Sequence, residues 1–109
     1  MNKGEIILVK FPFTDLSGSK LRPAMVLAER EQDVLAAFIT TNISTQNSDE
    51  VLLKANAVNK LKQDSKLNLF KIAALKKNLV IGKLGNIEGS LLNKIDEKLI
   101  QILNIKKIN

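Results

Sequence analysis

The chain has 109 residues, 45% hydrophobic and 26% charged, the balance of one folded domain with a single core and too short for two. It contains no cysteine and no histidine. That excludes a disulfide framework, a thiolate metal site and a histidine acid/base centre. The net charge of +6 and pI of about 9.7 point to a polyanionic partner (RNA, DNA, an acidic protein segment or a membrane surface), against the plainer alternative of a lysine-rich composition.

Along the chain, Ile6 to Val9 reads as a short strand, and Phe11, Pro12 and Phe13 carry it into a loop. Thr14 to Lys20 (TDLSGSK) is dense in turn formers and reads as an exposed loop. Pro23 biases Arg22 towards extended geometry. Ala24 to Ala28 and Val34 to Thr41 read as buried strands, Ile43 to Glu50 as a polar turn, and Val51 to Lys54 as a short strand. Asn56 to Lys66 is open between a helical turn and a loop. Lys66 to Phe70 (KLNLF) alternates with period two, the pattern of a half-buried strand, which Ile72 to Leu75 continues or neighbours.

After Gly82 and Gly85 the period changes. Leu92, Ile95, Leu99, Ile102 and Leu103 recur at helical spacing, so Ile87 to Asn104 is expected to be an amphipathic helix. Asn86 is its expected N-cap, with Glu88 in the first turn. Several strands followed by one helix predict a mainly β, α+β domain: a twisted antiparallel barrel or sheet with the helix laid on it. No run approaches the roughly 20 apolar residues of a membrane span. The start, MNKGEIILVKFPF, has no secretion signal, so a cytoplasmic location is expected.

Lysine supplies nearly all the positive charge, with arginine only at Arg22 and Arg30. In such a composition an arginine points to a use for its planar, always-charged fork.

The stretch GEIILVKFPFTDLSGSKLRPAMVLA, Gly4 to Ala28, resembles the N-terminal half of the MazF/PemK toxin family. It shows Gly plus an acid, an apolar strand, a polar Gly-containing loop, then Arg-Pro and a second apolar strand. Phe38 to Thr41 (FITT) resembles the family's next strand, which ends in Ile-Thr. Asp64-Ser65, Leu67 to Leu75, Ile81 to Gly85 and the helix resemble the remainder, so the likeness runs in order over almost the whole chain.

The resemblance implies a single domain of residues 1–109 with an SH3-like twisted barrel or sheet, acting as a homodimer. It implies a toxin that cleaves single-stranded RNA, typically mRNA, in a sequence-specific manner and without metal or cofactor. The ribose 2′-OH would attack, leaving a 2′,3′-cyclic phosphate and a 5′-OH. A cognate antitoxin with an acidic segment would restrain it, and no membrane role is implied. Arg22 matches the Arg before Pro that acts as acid/base or transition-state stabiliser, and Thr40 the Thr of the Ile-Thr pair. The guanidinium and hydroxyl types suit a developing phosphorane charge. RNA-binding candidates are Lys10, Thr14, Ser17, Ser19, Lys20, Thr41 and Lys71.

Three departures stand against that pattern. The loop before Arg-Pro is short, with Ser17 in the region of an expected acid and Asp15 the nearest carboxylate. Phe70 falls where some members carry an acid. Ala73-Ala74 replaces an Arg-Thr pair. A catalytically silent barrel that binds nucleic acid or an antitoxin is therefore the second reading, and a β-barrel interaction module with no nucleic-acid role the third.

Overall fold

A computed structural model of the chain describes residues 1–11 and 20–106. The apolar runs form β1 (Glu5–Phe11), β2 (Lys20–Glu29), β3 (Asp33–Thr40), β4 (Glu50–Leu53), β5 (Ser65–Lys76) and β6 (Val80–Asn86), followed by α1 (Gly89–Ile102). A short 3-10 turn, Lys77–Leu79, joins β5 to β6. Among the described residues the strands make one antiparallel sheet of order β4-β5-β3-β2-β1-β6. The expected barrel or sheet is thus an open sheet with β4 and β6 at its edges. No helix among the described residues is long and apolar enough to cross a membrane.

Each face of the sheet buries its own core. On one face Ile6, Met25, Ala37, Ile39, Leu67 and Leu69 pack with Ile87 and Ile95 under α1. Each Ile, Leu or Met side chain in this set, when fully buried, stabilises the fold by about 1.5–3 kcal/mol relative to exposure. The strands curl so that the other face buries a smaller set, Ile7, Val9, Ala24, Val26, Val34, Ala36 and Leu75. This second face carries the site described below.

The β5 strand serves both cores through an irregularity. Its partner register steps from Ala37↔Ile72 to Phe38↔Asn68, leaving Leu69, Phe70 and Lys71 unmatched. An odd number of unmatched residues reverses which positions face which side. Above the bulge Ile72 faces the helix and Ala73 the smaller core; below it Leu67 and Leu69 face the helix, and Asn68 faces the other way.

Two glycines are held by geometry. Gly4 adopts φ +92, receives Ile87 N–H on its carbonyl at 2.8 Å, and so ties the helix lead-in to β1. Gly85 lies against the turn after β4. A Cβ there would stand 2.4 Å from the Asn59 carbonyl oxygen. The neighbouring Asn86 N–H donates to Val58 O at 3.0 Å, so this turn seals the β6 end of the molecule.

Several boundaries depart from expectation. β2 begins at Lys20 and includes Arg22 and Pro23. Proline is admitted because it lies just past the last β2–β3 pair, Ala24↔Phe38, where β3 asks no N–H of it. β5 is one continuous strand of 12 residues. β6 went unanticipated, because two glycines interrupt its apolar alternation. The stretch between β4 and β5 forms turns. Asn86 ends β6 and is not the N-cap; Glu88 holds that position without a side-chain cap, and α1 has no acid in its first turn.

Candidate active site

On the smaller-core face, β2 and β3 stop pairing at Ala24↔Phe38, while β2 stays paired with β1 down to Lys20 and β3 with β5 down to Thr40. A cleft of about 560 Å³ opens where the two strands part, walled by Arg22 on one side and Thr40 on the other. Both residues lie two positions beyond the last β2–β3 pair, on the face of Ala24 and Phe38. The Arg22 guanidinium has no hydrogen-bond or ion-pair partner among the described residues.

The floor comes from β5 and β4. Thr40 pairs with Lys66, and Phe38 with Asn68, which in turn pairs with Glu50. Phe38, Asn68 and Glu50 therefore form one row across three strands, with Thr40 and Lys66 in the next row. Lys71 projects into the cleft from the bulge.

Lys66 and Glu50 form a buried ion pair at 3.2 Å, their side chains 8% and 4% exposed. Lys66 Nζ also donates to Thr45 O, and Glu50 Oε1 accepts the Asn47 N–H at 2.7 Å. The pair thereby fixes the segment between β3 and β4 along the cleft rim. The Asn47 N–H, and after it Lys66, hold the Glu50 carboxyl below its ordinary 4.5 despite burial. Thr40 Oγ1 accepts the Asn42 N–H at 3.2 Å, which leaves its own hydrogen to be donated elsewhere.

Of the residues singled out from the sequence, Arg22, Thr40 and Lys71 line this cleft. Thr41 is exposed beyond the end of β3. Lys20 is on the face of Arg22, exposed and further out, whereas Lys10 pairs with Leu21 and stands on the opposite face. Thr14, Ser17 and Ser19, with Asp15, lie outside the described residues. Phe70 is 72% exposed on the bulge, Ala73 sits against the smaller core and Ala74 is exposed; none of these three lines the cleft.

Sequence reasoning missed Asn42, Glu50, Lys66 and Asn68. The alternation in KLNLF did mark Lys66 and Asn68 as sharing a face, but that face reads as solvent unless the curl of the sheet is known.

A family model described as PemK-like, MazF-like toxin of type II toxin-antitoxin system matches residues 2–103. The chain belongs to that family. Among solved structures it is similar to an endoribonuclease in complex with its cognate antitoxin from a mycobacterial species, with TM-score 0.77 and 18% identity over 99% of each chain. It is also similar to the Mycobacterium tuberculosis toxin MazF-mt6, with TM-score 0.77 and 19% identity over 94% of this chain and 99% of that one. A further endoribonuclease from a mycobacterial species gives TM-score 0.72 and 19% identity over 99% of this chain and 95% of that one. At these identities the likeness speaks for the fold of this family member. No curated protein matches by sequence.

Proposed function

We propose that this toxin is an endoribonuclease that cuts single-stranded RNA in the Arg22–Thr40 cleft by internal transesterification, without a metal. The observation that carries the reading is Arg22, unpaired among the described residues and lining the same cleft as Thr40. Family membership and the endoribonucleases among its structural relatives support the same reading.

In this reaction the ribose 2′-oxygen loses its proton and bonds to the adjacent phosphorus. The bond from phosphorus to the 5′-oxygen breaks, and that oxygen takes a proton. The products are a 2′,3′-cyclic phosphate and a 5′-OH. Charge gathers on the non-bridging oxygens as the phosphorane forms, where a guanidinium offers several donors and a fixed positive charge. Thr40, already accepting from Asn42, donates its hydroxyl hydrogen to one of those oxygens. Lys71 adds a cation at the cleft mouth. The family resemblance gives the arginine before proline, matched here by Arg22, the role of acid/base or of transition-state stabiliser.

The same reading assigns a cytoplasmic setting and two protein partners: a second copy of the chain, and a cognate antitoxin whose acidic segment covers this basic cleft.

The test is a mixed RNA pool incubated with purified protein in EDTA, with 5′-OH ends mapped. The parent is expected to cut. Arg22→Ala should lower the rate by about 100- to 1,000-fold, the usual effect of losing a transition-state donor. Thr40→Val should lower it by about 10- to 100-fold. An Arg22→Ala protein that cuts like the parent overturns the assignment. RNA that is retarded in a salt-sensitive way and left intact identifies a silent binder.

A further inference from the structure

Asn68 and Glu50 are direct partners across β5 and β4 on the cleft floor. Side chains so placed have Cβ atoms about 4.5–5.5 Å apart, which sets an amide beside a carboxylate. Asn68 Oδ1 accepts the Phe70 N–H at 2.9 Å. An N–H requires an oxygen there, so the amide's orientation is fixed and its NH2 group is left without a partner among the described residues. Glu50 uses Oε1 for both Asn47 and Lys66. Its Oε2 has no hydrogen-bond partner among the described residues, and Glu50 lines the cleft. With its carboxyl held deprotonated, Glu50 offers only an acceptor. The floor therefore presents one donor beside one acceptor.

We propose that Asn68 and Glu50 form a base-reading subsite for a keto base, guanine or uracil, of single-stranded RNA. The inference rests on reading the cleft as the RNA site. Asn68 Nδ2 donates to O6 of guanine or O4 of uracil, while Glu50 Oε2 accepts the adjacent N1–H or N3–H. Adenine and cytosine carry the reverse order, an amino group beside a bare ring nitrogen. Held in the same orientation, they would set NH2 against NH2 and a lone pair against the carboxylate, leaving both protein groups unpaired. An unpaired strand exposes this base edge to a protein. Phe38, in the same row, supplies apolar wall beside the base. Thr40 follows Phe38 by two residues, about 6.4–6.8 Å along β3, so a base and a phosphate are held together.

The experiment uses one randomised single-stranded pool in two forms: as RNA, with cut sites mapped, and with 2′-fluoro ribose, which lacks the attacking hydroxyl, with bound sequences read. The parent is expected to favour G or U over A or C by about tenfold or more at one fixed position. Asn68→Asp keeps an acceptor for the Phe70 N–H and loses the donor, so it should lose that preference and retain those at other positions. Adding Glu50→Gln, which still offers an oxygen to Lys66 and Asn47, reverses the pattern and should shift the position towards A or C. RNA cut with no keto preference, or an Asn68→Asp profile identical to the parent's, overturns the subsite and leaves the cleavage reading standing. Intact RNA with keto enrichment in the bound 2′-fluoro pool, lost in Asn68→Asp, keeps the subsite and overturns cleavage. A protein that neither cuts nor binds either pool overturns both.

Discussion

Lys66 and Glu50 show how much depends on single partners inside the cleft. Removing one member of a buried ion pair strands the other charge, whereas replacing both removes the cost of burying either. Lys66→Met should therefore lower the urea midpoint more than the double variant Lys66→Met/Glu50→Gln, although the double carries more substitutions. The two glycines of β6 give a second contrast. Gly85→Ala drives a Cβ into the Asn59 backbone and should cost about 1–3 kcal/mol by urea denaturation. Gly82→Ala meets nothing within 4 Å and should stay within about 0.5 kcal/mol of the parent. At this scale Arg22 and Thr40 were legible because each stands in a local motif. Glu50 and Asn68 were not, since what makes them a pair is a strand register joining positions 18 residues apart.

Among the elements, the helix was the most legible, because its apolar spacing is a property of adjacent turns and needs no distant partner. Its ends were misplaced for a physical reason: Asn86 has the chemistry of a cap but is used in the sheet, where it pairs with Glu5. The apolar face of α1 predicts its own energetics. Ile95 is fully buried against the sheet, so Ile95→Ala should cost about 2–5 kcal/mol in a urea titration. Leu103, 60% exposed just past the helix, should change stability by less than about 0.5 kcal/mol when cut to alanine. The β6 strand escaped notice because glycine lowers strand propensity locally, while pairing with β1 and the cover over Gly85 restore the strand in three dimensions.

Across the whole molecule, three carboxylates tie the sheet's periphery to its middle. Glu5 is held below its ordinary 4.5 first by Lys83 and then by the Asn2 N–H. Glu29 is held below it by Lys77 and the N-terminal amine, and Glu50 by the Asn47 N–H and Lys66. On acidification the unfolded chain takes up protons first. The stability these groups contribute is thus complete above about pH 4.5 and is lost as pH falls through their depressed folded values. Thermal melts from pH 7 to 3 should show a falling midpoint that begins near pH 4.5. The partly exposed Glu5–Lys83 pair should contribute less at high salt. The mainly β architecture with a terminal helix could be read from the order of periodic segments. The open sheet and its curl could not, because closure depends on which edges find partners.

The bulge in β5 has a consequence for how the gene can change length. Because its unmatched residues reverse the facing of the strand, the helix-side core and the cleft floor run on opposite phases of one continuous segment. Losing or gaining a single codon between Asn68 and Ile72 would put one of those two faces out of step, burying Asn68 or exposing Leu67 and Leu69. A change of two codons would preserve both. Viable insertions and deletions in this stretch are therefore expected in even numbers, a pattern that deep mutational sequencing of length variants can read directly.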